Sequence, residues 1–261
     1  MNRAIPAVAA LVAAASCEGV FGIEHGDIVH DEDQDNIDDS VDNCPADFNP
    51  DQALAAGQRV GVACAFGSDG GDYGSAFFDP FPGPATANIE QPGWQAIDGA
   101  WTHGSDTMDL SAAESATHYL YLQGNTSFDA SAIAEVHVVI GATGNSSGVG
   151  VYVGIPATGT STQPQGVVCQ VRQSVGEVVV NTYDGSGESI GAANNMLPGV
   201  AAGDEVRIVV SASGTCHATV IGGSGDTMID DGTPAGSGLV ALWTDSGPAS
   251  YESIVVYTTG D

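Results

Sequence analysis

Residues 205–209 read Glu205-Val206-Arg207-Ile208-Val209, with apolar and charged side chains taking turns. Successive side chains of a strand point to opposite faces, so a period of two marks a strand with one face buried and the other wet. An amphipathic helix would need apolar residues three and four apart, and no stretch of the chain keeps that spacing over a useful length.

Working outward, residues 75–261 are punctuated by Gly, Asn, Asp, Ser or Pro at the spacing of short strands, about 8–12 residues. Between the breaks lie β-type runs at 94–97, 117–122, 134–140, 149–155, 166–172, 177–183, 205–211, 217–221, 238–243 and 253–257. Many short antiparallel strands without helices imply two sheets face to face, because each sheet must bury its apolar side on something. The long Gly- and Asn-rich loops favour a jelly roll over a compact immunoglobulin-type sandwich. The expected fold class is therefore all-β, a two-sheet antiparallel jelly-roll sandwich.

The two ends of this region carry a family likeness. It opens with Phe77-Phe78-Asp79-Pro80-Phe81, then Gly93-Trp94 and Gly99-Ala100-Trp101. It closes with Gly236-Ser237-Gly238-Leu239-Val240-Ala241-Leu242-Trp243 and with Ala249-Ser250-Tyr251-Glu252-Ser253-Ile254-Val255-Val256-Tyr257. These stretches resemble the concanavalin A-like lectin/glucanase (laminin G-like) superfamily, over most of residues 75–258. The resemblance implies glycan recognition or polysaccharide hydrolysis.

Hydrolases of the glucanase branch need two carboxylates flanking the glycosidic bond. In many relatives these lie on one strand face as ExDxE or ExDxxE, since alternate residues share a side. Here Glu114, Glu135, Glu177, Glu188, Glu205 and Glu252 stand without an acid two residues on, and the adjacent Asp204 and Glu205 face opposite ways. Gly-x-Ser-x-Gly, HExxH and Gly-rich phosphate loops are missing too. His103, His118, His137 and His217 are scattered singly and read as packed or surface histidines. Asp226, Asp230 and Asp231 can form either a second cation loop or an Asp-rich turn. The expectation is a domain that binds rather than catalyses. The alternative is a glycoside hydrolase with carboxylates drawn from separate strands.

Sugar-binding sandwiches stack ligands on aromatic rings, which offer contact area at little entropy cost. Candidates are Trp94, Trp101, Tyr121, Tyr152, Tyr183 and Trp243. Trp94 and Trp101 belong to the opening motif and read as core. Trp243 shares a face with Ala241 and Leu239, stands beside Thr244 and Asp245, and is the residue expected to touch a ligand.

Upstream, residues 31–45 read DEDQDNIDDSVDNCP. Asp31, Asp33, Asp35, Asp39 and Asp42 fall at positions 1, 3, 5, 9 and 12, the ligand spacing of an EF-hand-type calcium loop. Position 7, Ile37, would lend its backbone carbonyl. Position 6 is Asn36, the next best residue after Gly at positive φ. The other reading is a solvated acidic linker. The run continues through Asp42-Asn43-Cys44-Pro45 to Asn49-Pro50-Asp51-Gln52, and so resembles a thrombospondin type 3 repeat. Cys64 keeps the family register, whereas the second Asp-rich run has decayed to residues 54–63, LAAGQRVGVA. The resemblance implies one calcium loop, one lost loop and a Cys44–Cys64 disulfide.

The N-terminus carries Arg3 and then an apolar, Ala-rich run too short to span a bilayer, which is the pattern of a signal peptide over residues 1–16. Ala14-Ala15-Ser16-Cys17 looks like a bacterial lipobox, with Cys17 as the lipid anchor. Plain secretion and an uncleaved helix remain open. Five cysteines is an odd number for an exported chain, and removing Cys17 leaves four. Cys169 and Cys216 then either link neighbouring strands or stay as buried thiols.

The chain has 33 acids against 4 basic residues and a formal net charge of -29. That repels nucleic acid and anionic membrane surfaces and leaves cations as natural partners. The expected organisation is a lipid-anchored tether at 17–30, the calcium loop at 31–64, a linker at 65–74 and the sandwich at 75–261. The expected protein is a non-enzymatic lipoprotein of the bacterial cell envelope. A calcium-ordered spacer would present its recognition domain to a glycan or a cell-surface protein. A purely structural surface protein is a further alternative.

Overall fold

A computed structural model describes residues 31–39, 41–54, 61, 63–64, 73–82, 93–97, 99–110, 117–122, 127–141, 148–156, 164–186, 188–245 and 247–259. The expected signal peptide, Cys17 and the tether lie outside the described residues. So does the linker, apart from Tyr73 and Gly74, which already belong to the first strand.

The described strands are β1 (Tyr73–Asp79), β2 (Trp94–Ala96), β3 (Trp101–His103), β4 (Met108–Leu110), β5 (Thr117–Leu122), β6 (Ile133–Ile140), β7 (Gly148–Ile155) and β8 (Gly166–Arg172). They continue with β9 (Glu177–Tyr183), β10 (Ser189–Met196), β11 (Glu205–Ser211), β12 (Thr215–Val220), β13 (Asp226–Asp230), β14 (Leu239–Asp245) and β15 (Ala249–Thr259). All pairings are antiparallel. One sheet runs β13-β12-β11-β6-β15-β4-β3, with β1 also paired to β15; the other runs β10-β9-β8-β7-β14-β5-β2. The chain is the expected two-sheet jelly-roll sandwich.

The core follows from alternation. Val136, Val138, Val206 and Ile208 from the first sheet meet Val151, Val171, Val180 and Leu242 from the second, all buried. Each such side chain contributes about 1.5–3 kcal/mol relative to exposure. A disulfide joins Cys169 on β8 to Cys216 on β12, with Cα atoms 5.4 Å apart. Of the two readings the sequence left open, the cysteines pair, and the bond ties strands of opposite sheets through the core.

The opening motif makes a corner. Phe81, fully buried, sits at φ 51°, which a non-glycine residue holds only when its surroundings impose it. Asp79 imposes it here: its Oδ1 accepts the Phe81 N–H at 2.8 Å and its Oδ2 accepts Trp94 Nε1 at 2.7 Å. The Phe81 and Trp94 rings then pack at 5.7 Å.

The acidic segment is not held off as a spacer. Cys44 and Cys64, disulfide-bonded with Cα atoms 5.5 Å apart, pack on the outer face of the first sheet against Ile133, Val209, Val255 and Tyr257. Apolar residues on both faces of β6, β11 and β15 require this cover, because a sheet face carrying Ile, Val and Tyr is costly to leave in water.

Candidate functional site: an aromatic cleft and an aspartate loop

The outer face of the second sheet carries a second apolar cluster, built from positions alternate to the core. Tyr119 and Tyr121 come from β5, Trp243 from β14, Tyr152 from β7 and Tyr183 from the end of β9. Their rings form a row. Tyr121 and Tyr119 are 5.9 Å apart, Tyr119 and Tyr152 5.8 Å, and Tyr152 and Tyr183 6.3 Å. Burial pushes the Tyr119 hydroxyl up, against hydrogen bonds from Trp243 and Tyr152, and pushes that of Tyr152 well up. The phenols therefore stay neutral and able to donate.

Strand register sets polar side chains beside this row. Trp243 stands opposite Gly150, which stands opposite Gln170; one step along, Asp245 stands opposite Gly148, which stands opposite Arg172. The two glycines let neighbours close over β7: a Cβ on Gly148 would lie 3.0 Å from the Trp243 ring, and one on Gly150 would run into the Cys169 carbonyl oxygen. Beside the aromatic row lies a cleft of about 270 Å³ lined by Tyr119, Tyr152, Gln170, Arg172, Trp243 and Asp245, among others. From the opposite sheet, the Tyr251 hydroxyl accepts the Gly150 N–H at 3.2 Å and donates to the Trp243 carbonyl at 2.6 Å. That bond pins the cleft floor through the core. Flat ring faces bordered by an amide, a guanidinium and a carboxylate suit a ligand with apolar faces and hydroxyl edges.

Trp243 is thus placed in a cleft, as are Tyr152 and Tyr183 beside it, while Trp94 and Trp101 are core. Tyr119, Gln170 and Arg172 were not singled out from the sequence. The alternation in Thr117-His118-Tyr119-Leu120-Tyr121-Leu122 would have found Tyr119. Nothing local marks Gln170 or Arg172, because strand register alone brings them opposite the glycines.

On the acidic segment, the carboxylates of Asp31, Asp33 and Asp35 converge, each with an oxygen within 4.8 Å of the others. Backbone donors fold the loop around them. Asp35 N–H bonds Asp31 and Asp33, Asn36 N–H bonds Asp31 at 2.9 Å, and Ile37 N–H bonds Asp35 at 2.8 Å. Asn36 lies at φ 72°. Asp39 turns an oxygen onto the Glu32 N–H. Asp42 Oδ1 accepts from Cys44 N–H at 2.7 Å and Gln52 Nε2 at 2.8 Å, while Asp33 Oδ2 and Asp42 Oδ2 are buried with no hydrogen-bond donor among the described residues. Burial, aided by the charges of Asp35, Asp42 and Asp31, pushes Asp33 up to about 7.

The other Asp cluster is not a cation loop. Asp226 and Asp230 lie on β13, where Asp226 bonds His217 at 2.6 Å and Thr219 at 2.9 Å. Asp231 bonds Thr182 at 2.6 Å and the Thr233 N–H at 2.8 Å.

The two antiparallel sheets and the cleft together define a jelly-roll sandwich domain. No family model matches the chain, and no curated protein matches it. Solved structures do. A carbohydrate-binding module, CBM66 from Bacillus subtilis, superposes with a TM-score of 0.50 at 12% identity, over 64% of this chain and 96% of its own. An endo-β-1,3-glucanase from Pyrococcus furiosus gives 0.51 at 11%, over 74% and 97%. A Bacillus licheniformis β-glucanase gives 0.50 at 14%, over 72% and 99%. At these identities the likeness is one of fold. It corrects the expectation of a non-enzyme, because the sandwich is one on which glucanases are built. The missing ExDxE run does not exclude hydrolysis, since strands distant in sequence share the cleft face.

Proposed function

We propose that the cleft on the outer face of the second sheet takes a polysaccharide chain, with sugar rings set against Trp243, Tyr119, Tyr152 and Tyr183, while Tyr121, fully buried, backs the row. Gln170, Arg172 and Asp245 would hold the hydroxyl edges. The observation that carries this reading is the cleft in which Tyr119, Tyr152, Tyr183 and Trp243 meet Gln170, Arg172 and Asp245. The similar structures include a carbohydrate-binding module and glucanases, so β-glucan is the first ligand class to test. Hydrolysis is the second reading, supported by the Asp245 carboxylate in the cleft. It requires a second carboxylate at about 5–9.5 Å from the first. The test is affinity electrophoresis in β-1,3-glucan together with reducing-end release. Retardation without release is binding; release abolished by Asp245→Asn, with retardation kept, is hydrolysis. Neither effect in the wild type with any of a polysaccharide panel ends the reading.

We further propose that residues 31–64 form a calcium loop of the thrombospondin type 3 kind. Asp31, Asp33, Asp35, Asp39 and Asp42 would hold the ion with the carbonyl of Ile37. The residues fit, since Asp33 Oδ2 and Asp42 Oδ2 face the interior with no donor among the described residues and Asn36 has the backbone that position 6 requires. Bound calcium would supply positive charge that offsets carboxylate repulsion. Calcium titration calorimetry should show one saturable site, absent from the Asp33→Asn/Asp35→Asn variant; no heat in the wild type makes the segment an acidic linker. The setting we propose is the bacterial envelope, with a lipid on Cys17. Cys17→Ser should then move the protein from the membrane fraction to the medium, and a wild type found in the medium means plain secretion.

A further inference from the structure

Beneath the acidic segment lies a set of charged groups that the cleft does not use. Glu135 on β6 is fully buried, and Arg207 on β11 forks onto it, Nε to Oε1 at 2.6 Å and Nη2 to Oε2 at 2.8 Å. His137 reaches Glu135 at 3.3 Å and Glu205 at 3.1 Å. The Asp47 carboxylate comes down from the acidic segment to 3.4 Å from Arg207 Nε. On its other side the same segment closes on the aspartate loop. Asn49 N–H bonds Asp35 at 3.1 Å, Gln52 Nε2 bonds Asp42 at 2.8 Å, and Cys44 N–H bonds Asp42 at 2.7 Å. Residues 43–52 therefore touch the cation loop with one side and the sandwich with the other.

We infer that residues 43–52 are a latch through which the sandwich, by way of Arg207, holds the aspartate loop in its cation-binding shape, with Asp47 as the positioning residue. The inference rests on the calcium reading above. Three of the loop's hydrogen bonds to Asp35 and Asp42 come from the segment that carries Asp47, so freeing Asp47 loosens donors that orient two ligands. Linkage makes the effect reciprocal: the factor by which docking tightens cation binding is the factor by which the cation tightens docking. Loss of the latch uncovers Ile133, Val209, Val255 and Tyr257 on the sheet beneath.

The experiment uses the whole chain and calcium alone, read by calorimetry and by hydrogen exchange. Asp47→Lys sets a cation against Arg207 and should weaken calcium binding by at least about 5-fold, the lower end of ordinary coupling. Asp51→Lys makes the same charge change at an exposed position whose side chain, among the described residues, bonds the nearby Ala53 N–H. It should weaken binding less than Asp47→Lys does. Asp47→Asn, neutral and of the same shape, should retain binding. In the wild type, calcium should slow exchange at residues 43–52 and in β6 and β11 as well as in the loop. Equal affinities for Asp47→Lys and Asp51→Lys overturn the latch while the calcium reading stands, as does calcium protection confined to residues 31–42. No calcium binding by the wild type overturns both.

Discussion

The hydroxyl of Tyr251 donates to the carbonyl of Trp243 over 2.6 Å, from the strand of one sheet to the strand of the other. It also accepts the Gly150 N–H, so one buried side chain fixes both the residue that walls the cleft and the strand beneath it. Tyr251→Phe removes the oxygen and strands buried backbone groups, each worth about 1–3 kcal/mol. The expected loss is about 2–4 °C of Tm per kcal/mol. Binding should weaken with it, because the Trp243 backbone is no longer tied down. Calorimetric melting and affinity electrophoresis check the two effects; unchanged melting would mean that the hydroxyl bond contributes nothing.

Gly148 should govern how Trp243 and Gln170 are set in the cleft wall. A Cβ on Gly148 would lie 3.0 Å from Trp243 Cζ3 and 3.2 Å from Gln170 Oε1, a tight but not impossible fit. Gly148→Ala should therefore fold and bind about 10-fold more weakly, which is about 1.4 kcal/mol. Trp243→Ala should abolish retardation in polysaccharide gels. A Gly148→Ala variant that binds as the wild type does would place the ligand elsewhere.

The buried charges under the acidic segment make stability depend on pH. Burial alone would push His137 down, but the hydrogen bonds to Glu135 and Glu205 overcome it and hold it up at about 10, from 6.5. Burial alone would push Glu135 up, but the charge of Arg207 and the bonds from His137 and Arg207 hold it down at about 2, from 4.5. A raised folded pKa means that the His137 contribution is whole below 6.5 and lost as pH rises through about 10. A lowered one means that the Glu135 contribution is whole above 4.5 and lost as pH falls through about 2. Each pKa unit corresponds to about 1.4 kcal/mol. Urea unfolding between neutral and alkaline pH should show falling stability in the wild type and a flatter profile in His137→Gln. Parallel profiles would refute the assignment.

The corner at Phe81 should be fragile. Asp79→Ala leaves the Phe81 N–H and Trp94 Nε1 without their acceptor, at about 1–3 kcal/mol each. Asp79→Asn keeps one amide oxygen and should lose less. Urea midpoints of the three proteins rank the effect, and equal midpoints for Ala and Asn would show that hydrogen bonding does not hold the corner.

Much of this molecule follows from its sequence alone. Runs of β-type residues between turn residues determined β5, β8, β9 and β11 to the residue, since β-branched and aromatic side chains and turn-forming breaks are local signals. The same rule missed β10, Ser189–Met196, whose Gly- and Asn-rich edge buries too little to need a pattern. It missed β3 and β4, which are too short to show one. The aspartate spacing drew Asp31, Asp33 and Asp35 together because ligands two residues apart turn to one point.

Only the tertiary structure decided which strands became neighbours. Gln170, Arg172, Trp243 and Asp245 meet because β7 lies between β8 and β14 and carries glycines at the crossing points, and no local pattern encodes that pairing. Likewise Asp47, an ordinary acid in an acidic run, reaches Arg207 only after the Cys44–Cys64 segment has packed onto the sheet. Periodicity is set by each residue's own environment, whereas a cleft or a latch is set by register between segments far apart in the chain.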